Sequence, residues 1–346
     1  MLFDPVEWYI AITKADVATV KQELDLLSVR NAFDGKGAVD YFLPKCFVKS
    51  KSKDLVIKEM PDTYVFIHCN KKEFNEIKNA VPSLNLMKPL NKATGCRGHM
   101  TLNEETLMKM RLISNVLKGY LPCFDIDAFD VSSCDRVLVD RGLFKGLEGP
   151  IFCQIGKDGG QVLIPVNDYF IAATPEIPFN EFRTLEFGKG TRHHTQQFEA
   201  HIPKVVNAVV ERFTTGKLSD KVAEEMEAFI WRYGLLRSAT MNVYTFHNGL
   251  MLLSYVALDD KDKINNWMRV CNILKRKISD STQLGLLLTM MFAATGDDKL
   301  KEEALIIIDS WPKKGDTGPL RNRRKTIIEL FNKFDGLHNS LKWIKA

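Results

Sequence analysis

The residue types able to do chemistry are present in this chain, but without the spacing that chemistry requires. Asp125 and Asp127, and Asp259 and Asp260, are carboxylate pairs with no further site residues around them. His193 and His194 are metal-ligand types, yet two adjacent histidines with no Cys or carboxylate spacing nearby do not build a ligand set. No G-x-x-x-x-G-K-[ST], H-E-x-x-H or G-x-S-x-G occurs. The glycine-rich run Gly156 to Gly160 joins two strand patterns and opens no helix, so it lacks the dipole that cradles a phosphate. Seven cysteines, at 46, 69, 96, 123, 134, 153 and 271, form no C-x-x-C pair and are odd in number. Free thiols in a reducing compartment are expected, with neither a disulfide framework nor zinc. The expectation is a protein that binds: no catalytic residue, no metal and no cofactor.

Charge points the same way. Lys and Arg number 48 against 43 Asp and Glu, but the balance is +4 over residues 1–120, −5 over 121–190 and +6 over 191–346. Nucleic-acid affinity rests mainly on cations that displace counterions, so the acidic middle segment is better suited to a protein partner. Lys49, Lys51 and Lys53 form a lysine-rich hairpin tip. Lys313, Lys314, Arg321, Arg323, Arg324 and Lys325 form a basic cluster, a pattern found more often at a solvated helix start than in a nucleic-acid site. The start, MLFDPVEWYIAIT, is acidic and passes straight into a strand. The longest apolar run, Leu284 to Ala294, falls far short of the roughly 20 residues that span a bilayer. A cytoplasmic protein without a membrane partner is expected.

These residues must be positioned by several domains, since 346 residues exceed one ordinary domain. Glu7 to Thr13 reads as a strand. Asp16 to about Leu27 reads as a helix, with Val17, Val20, Leu24 and Leu27 on one face. Strands follow at Val39 to Val48, Leu55 to Ile57 and Thr63 to His68, then helices from Lys71 to about Val81 and from about Asn103 to Leu117. The order predicts an antiparallel sheet with helices on one side, an α+β sandwich over 1–120.

Residues 121–186 carry the chain's most specific local pattern. Val137 and Val139 alternate with Arg136 and Asp140, as on a half-buried strand. Gly142, Gly146 and Gly149 then break the chain around one apolar anchor, Phe144. Asp158-Gly159 lies between two apolar runs, a strong hairpin signal. A small, strongly bent antiparallel barrel is expected here, followed by a linker over 187–197, where FGKGTRHHTQQ loses apolar pattern.

The pattern V-x-V-x-x-G-x-F-x-G-x-x-G, held by Val137, Val139, Gly142, Phe144, Gly146 and Gly149, resembles the KOW motif of NusG-type transcription elongation factors, where it builds an SH3-like barrel. KOW modules also occur in ribosomal proteins, where they touch RNA. The Trp8-Tyr9 strand, Pro44 after an apolar strand, and Pro61 with Tyr64 to Ile67 are similar to landmarks of the NusG N-terminal domain. Asp62-Thr63 stands where that family often has one small residue. Met87-Lys88-Pro89, His99-Met100-Thr101-Leu102 and Ile171-Ala172-Ala173-Thr174 resemble more narrowly the UpxY-like antiterminators of Bacteroides-type bacteria. The resemblance covers about the first 185 residues. It implies that an apolar patch of the first domain docks on RNA polymerase beside the DNA channel, with Tyr9, Tyr41, Pro44, Phe47 and Tyr64 as candidates. It implies that Lys49, Lys51 and Lys53 contact upstream DNA in the elongation complex, and that the KOW barrel recruits a protein. Surface polysaccharide operons are the targets it suggests. Trp8, Tyr64 and Phe66 also read as ordinary core residues, because aromatics in alternating strands usually pack inward.

Residues 198–346 read as helices. Val206, Val209, Val210 and Phe213 recur at helical spacing, as do Ile264, Trp267, Met268, Cys271 and Leu274. Ser219-Asp220-Lys221, Asp259-Asp260-Lys261 and Asp297-Asp298-Lys299 are similar turns, each opening an amphipathic helix. Stacked helical hairpins and a plain helical bundle both account for this pattern. The family resemblance does not reach this half. Two functional readings follow: a NusG-like elongation or antitermination factor, or an RNA-binding or ribosome-associated KOW protein with a helical scaffold.

Overall fold

A computed structural model describes residues 5–49, 57–59, 63–84, 100–125, 128–153, 158–166, 170–189, 191–237, 240–312 and 318–345. They form two compact units, 1–182 and 183–346.

The first unit opens with β1 (Glu7–Thr13), α1 (Val17–Phe33), β2 (Asp40–Phe42), β3 (Lys45–Lys49), β4 (Ile57–Glu59), β5 (Thr63–Cys69), α2 (Lys71–Ala80), β6 (Met100–Leu102) and α3 (Glu104–Val116). Local chemistry sets the helix starts. Asp16 accepts from the Thr19 amide, Asn103 accepts from the Thr106 amide, and Asn70 and Glu73 form a reciprocal capping box. The first sheet has the order β2-β5-β1-β6. Its two central strands are apolar at nearly every position and are buried on both faces. Tyr9, Ala11, Val65 and Ile67 pack with Val20, Leu24, Phe74 and Ile77 of α1 and α2. Trp8, Ile10, Ile12, Tyr64 and Phe66 pack the other way, with Leu107, Met110 and Ile113 of α3.

The chain continues through β7 (Tyr120–Asp125), β8 (Asp135–Val139), β9 (Glu148–Phe152), β10 (Gly159–Pro165), β11 (Phe170–Ala173), β12 (Ile177–Pro178) and β13 (Phe182–Glu186). The expected β9–β10 hairpin pairing is present, with Gln161 opposite Phe152. Among the described residues the expected SH3-like barrel is not shown: the strands run in an open order, β8-β9-β10-β11-β7-β3-β4, with β12 beside β10. One edge of β7 pairs with β11 and the other pairs in parallel with β3, Lys45 opposite Tyr120 through Val48 opposite Cys123. An edge whose amides and carbonyls are already satisfied has nothing left with which to close a barrel. Val137, Val139, Val162, Ile164 and Phe170 share the core of Trp8 and Phe66, within the unit that spans 1–182.

The second unit contains α4 (Thr191–Thr215), α5 (Asp220–Tyr233), α6 (Met241–Leu258), α7 (Lys261–Lys275), α8 (Ser281–Thr295), α9 (Asp298–Asp309) and α10 (Gly318–Lys345). Helix α4 begins at Thr191, inside the stretch expected to be a linker. The three similar turns each precede a helix: Ser219, Asp260 and Asp297 are the N-caps of α5, α7 and α9. Helices α6 and α8 have no polar face and bury Leu250 to Leu253 and Leu286 to Leu288. The hairpins do not stay an open array. Arg323 of α10 bonds Glu199 of α4 at 2.8 Å and Lys333 reaches Asn207 at 3.1 Å, so the first and last helices meet and the stack becomes a bundle.

Candidate functional site

The five residues expected to form a polymerase-binding patch do not form one. Tyr9 opposes Ile67 and Tyr64 opposes Ile12, so the alternation of a strand sends the two rings to opposite faces of the first sheet. Tyr9 is buried and stacks on Phe74 with centroids 4.8 Å apart. Tyr64 is buried edge-on to Phe170 at 4.7 Å. Pro44 is also buried, in the short break between β2 and β3. Tyr41 and Phe47 are half-buried. The Tyr41 hydroxyl donates to Asp25 of α1 at 2.6 Å. Burial first, then that hydrogen bond and the Asp25 charge, push its phenol up to about 12.

Phe47 belongs to a surface cluster that sequence reasoning missed. Its ring meets Tyr120 edge-on at 6.2 Å, Tyr120 is 44% exposed, and the Lys45 ammonium lies 5.6 Å from the Tyr120 centroid. The parallel β3–β7 register brings these residues together across more than seventy positions of sequence. No local pattern signals such a pairing. Lys49 ends β3 and pairs with Ile57, while Lys51 and Lys53 lie outside the described residues.

Trp8 is an internal strut. The Arg111 guanidinium sits 4.6 Å over its ring, His68 stacks on it at 4.7 Å, and its indole N–H donates to Glu104. Asp40 holds the far ends of the stack, 3.2 Å from Arg111 and 3.5 Å from His68.

The glycine-rich turn folds as its sequence suggests, although the sheet around it is open. Val137, Val139 and Phe144 are buried. The Val139 amide donates to Leu147 O and the Gly146 amide donates to Val139 O, both at 2.8 Å. Gly142 has φ +75°, and a Cβ there would strike the Glu181 carboxylate. Gly149 lets two strands approach, since a Cβ would lie 2.9 Å from Val162 Cγ1 and 3.1 Å from the Leu163 carbonyl. The exposed tip of the turn is Leu143, 76% accessible.

In the second unit two members of the basic cluster, Arg323 and Arg324, are structural, while Arg321 is exposed. Arg323 holds Glu199 through Nε and Nη2 and covers the Phe246 ring at 5.5 Å. Arg324 donates to Thr282 at 3.1 Å and covers Trp311 at 5.2 Å. Lys325 pairs with Glu329 at 3.7 Å; Lys313 and Lys314 lie outside the described residues. His193 and His194 fall within α4. Among the described residues no group of three His, Cys, Asp or Glu is placed to hold a metal, and no helix is long and apolar enough to cross a membrane. His247 is buried among aromatic rings, with Nε2 3.0 Å from Tyr233 O and Nδ1 unpartnered. Burial depresses its pKa to about 4, against the opposing effect of the Tyr233 carbonyl.

No protein-family model and no curated protein matches the chain. Solved structures are only weakly similar to it, among them the following two. A transcription anti-terminator antagonist, UpxZ, from Bacteroides uniformis is 17% identical with a TM-score of 0.30, over 43% of this chain and 94% of that one. NusG from Thermotoga maritima, in a structure concerned with domain interaction, is 17% identical with a TM-score of 0.27, over 51% of this chain and 96% of that one.

Proposed function

We propose that the chain is a NusG-like transcription elongation or antitermination factor of the cytoplasm, whose first unit binds RNA polymerase and suppresses pausing or termination. The observation that carries this reading is the coincidence, within one unit, of two features. One is a four-stranded antiparallel sheet with the Trp8-Tyr9 strand at its centre and α1 and α2 on one face. The other is a V-x-V-x-x-G-x-F-x-G-x-x-G turn whose valines and Phe144 are buried and whose Gly142 and Gly146 take positive φ. Of the candidate docking residues, Tyr41 and Phe47 retain exposed surface, and this reading assigns the polymerase contact to them. The lysines Lys49, Lys51 and Lys53 supply the contact to DNA in the elongation complex. The acidic segment 121–190 recruits a protein partner, and surface polysaccharide operons are the proposed targets.

Single-round transcription by the cognate polymerase, on a template with defined pauses and a terminator, tests this directly. The protein should shorten pauses or raise readthrough, and Phe47→Glu with Tyr41→Glu should abolish the effect while leaving the circular dichroism spectrum intact. No change in pausing or readthrough, together with failure to co-elute with polymerase, sinks the reading.

A further inference from the structure

Helix α1 buries one face and leaves the opposite one uncovered. Val20, Leu24 and Leu27 pack against the first sheet. On the other side Gln22, Leu26, Val29 and Phe33 follow one another at intervals of four, three and four residues. That is the heptad spacing of a seam between two helices. All four are exposed, the apolar three to 61%, 56% and 88%. The solvent face of a helix ordinarily carries polar residues at such positions, and large apolar side chains gathered in one row mark a contact surface. One edge of the row carries Glu23 and Arg30, seven residues or about two turns apart. Glu23 accepts from the Ser83 amide through Oε2 at 2.9 Å. Among the described residues no carboxylate pairs with Arg30.

We propose that α1 docks on α1 of a second copy of this chain, the two helices running antiparallel about a twofold axis. In that arrangement Leu26 lies against Val29 of the other copy, and Phe33 closes each end of the seam over Gln22. The same register sets Glu23 beside Arg30 of the other copy. Twofold symmetry repeats the ion pair, so a single helix edge supplies both halves of its own complement. The antiparallel direction also places the positive N-terminus of each helix beside the negative C-terminus of the other. Other occupants fit less well. Glu23 and Asp25 border the row on its two sides and would be repelled by an anionic bilayer. An extended peptide finds no open strand edge on a helix. Three side chains cover less than the roughly 800 Å² per partner of a standard interface, so the dimer is weak, with a Kd on the order of 10 μM.

The test is sedimentation velocity of the full chain from about 1 to about 200 μM, with a reductant present because Cys153 is exposed. The chain should pass from monomer to dimer across this range. Leu26→Glu with Phe33→Glu should leave it monomeric throughout, with an unchanged circular dichroism spectrum, since both side chains are exposed. Arg30→Gln and Glu23→Gln should each weaken the dimer about fivefold, by removing two symmetry-related ion pairs. Asp25→Asn should have no effect, because Asp25 would meet Arg30 of the other copy only if the helices ran parallel. A chain that stays monomeric at the highest concentration, a dimer that survives Leu26→Glu with Phe33→Glu, or a dimer weakened by Asp25→Asn as much as by Glu23→Gln overturns the proposal. None of these readouts involves polymerase.

Discussion

The two units bury their cores by opposite means. In the first unit, strands from distant parts of the chain alternate their side chains between cores: Val162 and Ile164 of β10 face one way while Leu163 faces the other. In the second unit, α6 and α8 are buried almost all round, and each contact is between helices near in sequence or at the two ends of the bundle. A sheet divides its residues by parity and depends on which strand lies alongside. A buried helix has no preferred side, so its neighbours supply the polar faces.

The largest effects should come from the two cores. Phe292→Ala in α8 and Phe66→Ala in β5 each remove a fully buried ring and should cost about 3–5 kcal/mol. Hydrogen exchange should show protection lost first in α6 and α8 for Phe292→Ala, and in β1 and β5 for Phe66→Ala. Equal loss everywhere in both variants would erase the distinction between the units.

Acid should act on the helical unit next most strongly. His247 has an ordinary pKa of 6.5 when exposed and about 4 when buried. Below pH 6.5 the unfolded chain therefore takes up a proton that the folded chain refuses. Stability falls as pH drops from 6.5 towards 4 and levels off below, a loss of about 3 kcal/mol from this group. His201 is shifted in the same direction, chiefly by burial. Denaturant midpoints of His247→Gln measured across this window should show a flatter profile than the parent.

The smallest effects are at the helix caps, where the two units should respond alike. Asn70→Ala removes a capping box from α2, and Asp260→Ala removes the side chain that accepts from the Lys263 amide at α7. Each should cost about 1 kcal/mol in thermal or chemical denaturation. A much larger loss at either cap would mean that the helix end carries packing beyond its hydrogen bond.

Sequence pattern by itself determined most of the elements, and their starts better than their ends. The helix starts at 17 and 71, the strand at 63–69 and the helix starts at 220, 261 and 298 follow from periodicity, and all of these helices but the one at 220 are also capped by a side chain that bonds its own backbone; α1 runs on to Phe33, past the end expected at about Leu27. The glycine turn at 142–149 was equally legible, because positive φ and close strand approach are local requirements that few residues meet. Tertiary structure alone decided that β7 lies between β3 and β11, that Tyr9 and Tyr64 are buried on opposite faces, that α4 begins inside an apparent linker, and that Arg323 and Arg324 point inward. Each of these depends on a partner far away in the chain. Such a partner leaves no period in the local sequence, and its contribution appears only when the edge of a strand or the charge of an arginine finds what satisfies it.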